Sequence, residues 1–308
     1  IYSMQFKKYQ HVERLGFDEV KGLLEGKVYI QPKIDGTNSS VFLNDKGELA
    51  FGGRKRELTL HKDNHEFAHT VMEHKDLFLS VLNKHKDWII YGEWLVQHVV
   101  KYDEKAYYHF YVFDVYDGKT QKYLPYEEYI DEIKNAGLRY VPVVKILNNP
   151  TFDELTELAP ELTKYMTLDN NTGEGIVLKR YDFVNQFGET VWGKYVLADF
   201  VQTHKRRTSL VKHSNDEDEA TYRAHLEGFI TKAFVEKEYA KFVDNHGGAF
   251  RSKNIGELLE ALWYEFVNEE FYHYLKTFKT YPTINFKLLH LVENELVKEN
   301  LPVIFGKR

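Results

Sequence analysis

Cysteine is absent from the 308-residue chain. That excludes disulfides, thiolate metal sites and a cysteine nucleophile. No apolar run approaches the ~20 residues that cross a bilayer. No charged n-region followed by an apolar h-region opens the chain either. A membrane span and a secretory leader are therefore not expected. Ile1-Tyr2-Ser3 precede Met4 and are set aside from the fold argument. Excess positive charge is lacking too, since the formal net charge is −6. Bulk electrostatics thus do not point to nucleic acid. A nucleic-acid binder with this balance has to gather its cations locally, because phosphate contacts are made by local Lys and Arg. Thr203-His204-Lys205-Arg206-Arg207, with Lys212 just beyond, is the best such patch, and a solvated turn explains it equally well.

What is present describes a folded protein. Hydrophobic residues make up 43% of the chain, and its length is enough for a full core and two domains. Aromatics reach 15%, and core packing is the expected use for most of them.

The first two thirds read as strand-rich. Val28–Gln31, Ser39–Leu43, Trp88–Tyr91, Gly175–Lys179 and Thr190–Leu197 are β-prone runs, and Tyr107–Tyr116 is another that alternates less cleanly. Asn44–Gly47 reads as a hairpin turn. Helical patterns fall near Phe17–Leu24, Asn64–Asn83, Tyr126–Ala136 and Phe152–Leu162. The character changes after about Leu210. Ser214-Asn215-Asp216 is a cap cluster followed by acidic residues, and Ala220–Val243, Ile255–Phe278 and Ile284–Asn300 have helical spacing. Asn245–Gly248 and Tyr281-Pro282 interrupt them. Two domains are expected, at 4–210 and 211–308.

Pro32-Lys33-Ile34-Asp35-Gly36-Thr37-Asn38 follows a β-run directly. Burial and neighbouring positive charge make a lysine amine nucleophilic by lowering its pKa, and Asp35-Gly36 would shape a tight turn that presents it. Alone, K-x-D-G is a short pattern. The chain as a whole resembles the covalent nucleotidyltransferase superfamily of ligases and mRNA capping enzymes. It carries that family's motifs in order: Lys33–Gly36, the arginine motif Gly52-Gly53-Arg54-Lys55-Arg56, Tyr91-Gly92-Glu93-Trp94, Phe110–Val115, Glu174–Lys179 and Trp192-Gly193-Lys194-Tyr195. Together they span about residues 30 to 200.

The resemblance implies an α+β fold, with an N-terminal nucleotidyltransferase domain of ATP-grasp-like antiparallel sheets and flanking helices. It also assigns roles. Lys33 would attack the α-phosphorus of ATP. Asn38 and Arg54 would contact the ribose or phosphate side, with Arg56 competing for the arginine role. Glu93 would hold the ribose or a metal-bound water, and Phe113 would stack on adenine. Glu174 would help place Mg²⁺ (or Mn²⁺), which prefers oxygen donors. Lys179 and Lys194 would offset charge developing on the phosphoryl group. Two positions depart from the pattern. Lys194 stands where many ligases have two lysines one residue apart. Pro32 stands where the T4-type RNA ligase 2 group has an acid that reads adenine, so Gln31 or backbone groups would make that contact.

DNA ligases and capping enzymes usually follow the last motif with an OB-fold barrel. The tail here reads as a small all-α domain, which resembles the RNA ligase 2 branch. The expected function is therefore ATP-dependent joining of RNA 3′-OH and 5′-phosphate ends through lysyl-AMP and RNA-adenylate. DNA ligation or another polynucleotide nucleotidyl transfer is the alternative. The expected substrate is a nicked duplex or broken RNA, and the expected setting is a cytoplasmic monomer (in a host's cytoplasm if the source is viral). Lys205, Arg206 and Arg207 are candidate RNA contacts. Among the tail aromatics Phe250, Trp263, Tyr264 and Tyr272, core packing is favoured over base stacking. A rival pattern is His65-Glu66-Phe67-Ala68-His69, which matches H-E-x-x-H. On a helix its histidines would share a face and suit zinc, with Glu66 as base. A non-catalytic RNA-binding module is a third reading.

Overall fold

The structure is a computed structural model that describes residues 5–197, 219–246, 250–278 and 282–301. The chain divides into two compact units, Ile1–Leu197 and Ala198–Arg308. The expected boundary at 210/211, the cap cluster Ser214–Asp216, and Lys205, Arg206 and Arg207 all lie outside the described residues.

The first unit holds two sheets. One has five strands in the order β1 (Val12–Arg14), β12 (Trp192–Val196), β11 (Gly175–Lys179), β2 (Lys27–Lys33) and β10 (Lys145–Asn148). The other has seven: β5 (Glu57–Leu58), β4 (Leu49–Gly53), β3 (Thr37–Leu43), β6 (Trp88–Trp94), β7 (Phe110–Asp117) and β8 (Lys122–Tyr123), with β9 (Arg139–Tyr140) beside β7. Pairing is antiparallel except for β1 with β12 and β7 with β9. The α+β architecture with antiparallel sheets is thus as expected. β2 is buried along most of its length, Gln31 included, so Val28-Tyr29-Ile30 reads as an apolar run and not as an alternation.

The seven-stranded sheet has two unlike faces. Its outer face carries Val41, Ile90, Trp94, Phe110, Val112 and Val115. Against it pack Phe67 and Val71 of α1 (Phe67–Glu73), Phe78 and Val81 of α2 (Lys75–Leu82), and Ile130 and Ile133 of α3 (Tyr126–Asn135). The inner face carries Phe42, Ala50, Ile89 and Tyr91, flanked by Tyr9, Phe113, Tyr116 and Tyr123.

A β-bulge shapes that inner face. Tyr91 pairs with Asp114 and Gly92 with Val112, which leaves Phe113 as an extra residue in β7. The bulge breaks the two-residue alternation. Val112 and Val115 both reach the outer core, and the consecutive residues Phe113 and Asp114 both serve the inner side.

Local chemistry explains the remaining element ends. Asn44 Oδ1 accepts from the amides of Lys46 and Glu48, and Gly47 takes φ +74°, which makes the expected hairpin turn. α4 (Phe152–Leu162) starts in a capping box between Thr151 and Glu154. The expected helix 64–83 is two helices that meet at His74, and it starts late because His65 and Glu66 have left-handed backbones at φ +51° and +61°. Only a short 3₁₀ turn, Asp18–Val20, forms within the helix expected at Phe17–Leu24.

The second unit is helical: α5 (Glu219–Leu226), α6 (Lys232–Asn245), α7 (Ile255–Glu269), α8 (Phe271–Leu275) and α9 (Phe286–Asn300). Thr231 caps α6 and, with Gly228 before it, divides the helix expected at Ala220–Val243. Leu226, Val235, Leu258, Leu262, Phe266, Leu289 and Leu296 share its core, and Phe250 and Trp263 pack against it. Tyr264 and Tyr272 do not follow the core expectation, at 61% and 55% exposed. Among the described residues, no helix is long and apolar enough to cross a membrane.

Candidate active site

β2 ends at Lys33, and its neighbour β11 begins opposite it, with Gly175 paired to Lys33. That register sets Glu174 beside the lysine, and Lys33 Nζ donates to Glu174 Oε2 at 2.9 Å. Both side chains remain partly open to solvent. The ion-pair partner of the proposed nucleophile is thus a carboxylate and not the expected neighbouring cation. Gly175 allows this approach of strands, since a Cβ there would lie 2.1 Å from Tyr195 O. Counting by twos along paired strands puts Lys33, Gln31, Val177 and Lys194 on one face of the five-stranded sheet.

The turn after Lys33 is fixed from below. The Asp35 carboxylate is buried, and its Oδ2 accepts from the amides of Val99 and Val100 at 3.0 and 3.1 Å. Its Oδ1 lies 3.4 Å from His98 Nδ1, and its own amide donates to the Tyr102 hydroxyl at 2.7 Å. Burial pushes the Tyr102 phenol well up, so it stays a hydroxyl. Gly36 donates its amide to Glu93 Oε1 at 3.0 Å. A Cβ at Gly36 would come within 2.5 Å of Trp94 O. Asp35 is thus a fastener between the nucleophile turn and the 98–102 segment, and Gly36 lets β6 approach.

The facing sheet brings other candidates into line. Asn38 pairs with Glu93, and Glu93 with Tyr111, so they share the inner face. Phe113 reaches that face through the bulge, and its ring lies 5.0 Å from that of Tyr9.

Asp114 is where the two sheets join. Its Oδ2 accepts from Tyr9 Oη, Trp192 Nε1 and Lys179 Nζ. Burial, and then Asp114 itself, push the Tyr9 phenol well up, so it remains a donor. Lys179 is enclosed and also donates to Phe113 O at 2.7 Å. Burial pulls its pKa down, and Asp114 opposes that pull. Lys179 lies four residues along β11 from Gly175, about 13 Å at strand rise. Lys179 Nζ is thus engaged by Asp114 and by the carbonyl beneath the Phe113 ring. Sequence reasoning missed Asp114 and His98. The signal for Asp114 was a lone charge inside the apolar run Phe110–Tyr116.

Gln31 is buried, with Nε2 donating to Val141 O at 2.9 Å, while its Oε1 has no hydrogen-bond partner. Arg54 and Lys55 form the tip of the β4–β5 hairpin, closed by Gly53 N donating to Arg56 O. Arg56 turns back on its own loop, donating to Lys62 O at 2.8 Å. Lys194 is half-buried. The H-E-x-x-H pattern does not form on a helix. His65 and Glu66 precede α1, His65 O accepts from Trp94 Nε1, and His69 Nδ1 meets Asp63 Oδ2 at 2.8 Å.

Two facing antiparallel sheets, with a lysine–carboxylate pair at a strand end and a K-x-D-G turn locked beneath it, define a domain of the nucleotidyltransferase class. The sequence model of the RNA ligase family matches residues 26–196, more than half of the chain, and the chain belongs to that family. Among solved structures it is similar to a mutant Naegleria gruberi RNA ligase with AMP and Mn. The two share 21% identity over 66% of this chain and 60% of that one, with a TM-score of 0.48. It is also similar to Naegleria gruberi RNA ligase with PPi, at 21% identity, 67% and 60% coverage and a TM-score of 0.47. The chain thus spans 60% of the length of those proteins. No curated protein matches the sequence.

Proposed function

We propose that the chain is an ATP-dependent RNA ligase that carries AMP on Lys33. The observation that supports this most is the Lys33–Glu174 pair at a strand end, inside the segment that matches the RNA ligase family. In the first step Lys33 Nζ attacks the α-phosphorus, the bond to pyrophosphate breaks, and the amine gives up a proton as the P–N bond forms. In the second, an oxygen of an RNA 5′-phosphate attacks that phosphorus, the P–N bond breaks and Lys33 recovers its proton. In the third, a 3′-hydroxyl attacks the activated 5′-phosphorus, AMP leaves and a phosphodiester forms.

This chain's residues divide the work. Glu174 holds the Lys33 Nζ at the strand end, and the amine attacks only in the form that has given up its ammonium proton. Asn38 and Arg54 bind the ribose or phosphate side, Phe113 stacks on adenine, and Lys194 offsets phosphoryl charge. Gln31 Oε1 suits the adenine amino group, a donor for an acceptor that lacks one. Lys179 and Asp114 hold Phe113 in place. Glu174 and Glu93 offer the oxygen donors that Mg²⁺ or Mn²⁺ prefers, and such an ion would offset charge on the ATP phosphates. Residues 4–210 would perform the chemistry and 211–308 would position RNA ends of a nicked duplex or a break. A cytoplasmic monomer is part of the same reading.

Intact mass after incubation with ATP and Mg²⁺ tests this. A gain of one AMP, lost in Lys33→Ala, is the expected result, and an unmodified wild-type chain would refute it. Sealing of nicks with RNA against DNA 3′-hydroxyl strands then identifies the polymer.

A further inference from the structure

Tyr108 has φ +58° and is 60% exposed. A left-handed backbone is uncommon for a bulky residue, and Gly or Asn adopts it at less cost. A ring kept on such a backbone and left in solvent points to a task for the ring, since strained backbones cluster where a site needs them. Its location is specific. Tyr108 N donates to Leu95 O at 2.8 Å, and its ring lies 6.5 Å edge-on from that of Trp94. Trp94 is the residue after Glu93, and its carbonyl lies against Gly36 in the nucleophile turn.

The same tryptophan ties Tyr108 to a cationic hairpin. Trp94 Nε1 donates to His65 O at 3.0 Å, and two residues earlier Asp63 O accepts from Arg56, which also holds Lys62 O. Residues 54–62 contain Arg54, Lys55, Arg56 and Lys62 against Glu57, four cations to one anion, within a chain of net charge −6. All five are exposed, on β5 and its flanking turns at the sheet edge. Charge at a sheet edge also discourages strand pairing, but that need does not account for an exposed ring on a strained backbone beside it.

We propose that the β4–β5 hairpin and Tyr108 form a binding surface for a single-stranded segment at an RNA end, with Lys55 and Lys62 on its phosphates and a base stacked on Tyr108. Cations along a backbone track with an aromatic platform are the combination that unpaired strands use. Trp94, buried on the outer face, is the residue that the hairpin and Tyr108 share, and its carbonyl lies against the nucleophile turn at Gly36. This proposal rests on the ligase reading, for which it names a contact surface.

The test measures two things on each protein: lysyl-AMP formation by intact mass, and affinity for a fluorescein-labelled single-stranded RNA by anisotropy across a KCl series. Tyr108→Asn removes the ring and suits the left-handed backbone, so it is expected to fold. It should form lysyl-AMP normally and bind the RNA roughly ten-fold more weakly, within the range for losing one stacked base. Tyr108→Phe should restore binding. Lys55→Ala with Lys62→Ala should keep adenylylation and flatten the slope of log K against log salt by about 1.4, two phosphate contacts' worth for a single strand. Unchanged affinity and slope in these variants would overturn the proposal. So would a Tyr108→Asn protein that melts earlier yet binds normally, because the ring would then be a cover for Trp94. A wild type that forms lysyl-AMP but does not bind the RNA overturns the surface and leaves the nucleotide step standing. A wild type that forms no lysyl-AMP defeats the ligase reading, and a loss of RNA binding in the variants would still support the surface.

Discussion

The Lys179 ammonium and the Asp114 carboxylate meet at 2.9 Å, and both side chains are closed to solvent. The pair joins strands from different sheets, and Asp114 is satisfied further by Tyr9 and Trp192. Removing one partner leaves the other charged and buried. Lys179→Met should therefore cost about 3–5 kcal/mol in urea unfolding. Lys179→Met with Asp114→Leu should cost less than the sum of the two single changes. Strict additivity would show that the two do not act as a unit.

Gln31 presents a buried oxygen without a partner. With the adenine amino group donating to that oxygen, Gln31→Leu should raise the KM for ATP in lysyl-AMP formation about ten-fold, the worth of a hydrogen bond to an otherwise unpaired buried group. It should also narrow the preference for ATP over GTP. A variant with unchanged KM and unchanged preference would place adenine elsewhere.

The turn beneath Lys33 is tight enough to be tested with a single methyl. In Gly36→Ala the added carbon would meet Trp94 O at 2.5 Å. The backbone must shift, at a cost of about 1–3 kcal/mol in thermal or urea unfolding. Because the shift falls between Lys33 and Glu93, the rate of lysyl-AMP formation should fall by more than the stability loss explains at a temperature where the chain stays folded. Full activity in Gly36→Ala would mean that the turn can relax without consequence.

In the helical unit, Glu293 of α9 is fully buried, and neither carboxyl oxygen has a hydrogen-bond partner. Burial pushes its pKa up to about 8, from an ordinary 4.5. The folded form thus holds a proton that the unfolded form releases, and its stabilising effect is complete below pH 4.5. That effect fades as pH rises toward 8, at roughly 1.4 kcal/mol per unit, and is gone above it. Glu293→Gln should flatten the dependence of unfolding on pH across that window, and Glu293→Leu should raise stability at pH 8. An unaltered pH profile in Glu293→Gln would assign the dependence to other groups.

The parts of this architecture legible in the sequence are those whose signals are local. Phe152–Leu162 is a helix with its own capping box, and Gly175–Lys179 is a strand bounded as read. Lys33 and Glu174 stand within short motifs, and strand register then brings them together. The untidy alternation of Tyr107–Tyr116 has its cause in the extra residue of the bulge. Less legible were relations made only by folding. Asp35 finds its partners at residues 98–102, Asp114 gathers donors from residues 9, 179 and 192, and neither set is near in sequence. The left-handed backbones of His65 and Glu66 also carry no Gly signal, so a single long helix seemed natural there.

The bulge in β7 makes Phe113 a spare residue in the ladder, because Val112 and Asp114 already have partners on β6 without it. Removing that residue outright would leave each half of the strand in its present register, with valines outward and Asp114 inward. Ring and sheet are thereby separable by chain length. A one-residue deletion, ordinarily ruinous in a central strand, would here keep the ladder and remove the ring together with the carbonyl that Tyr129 and Lys179 donate to.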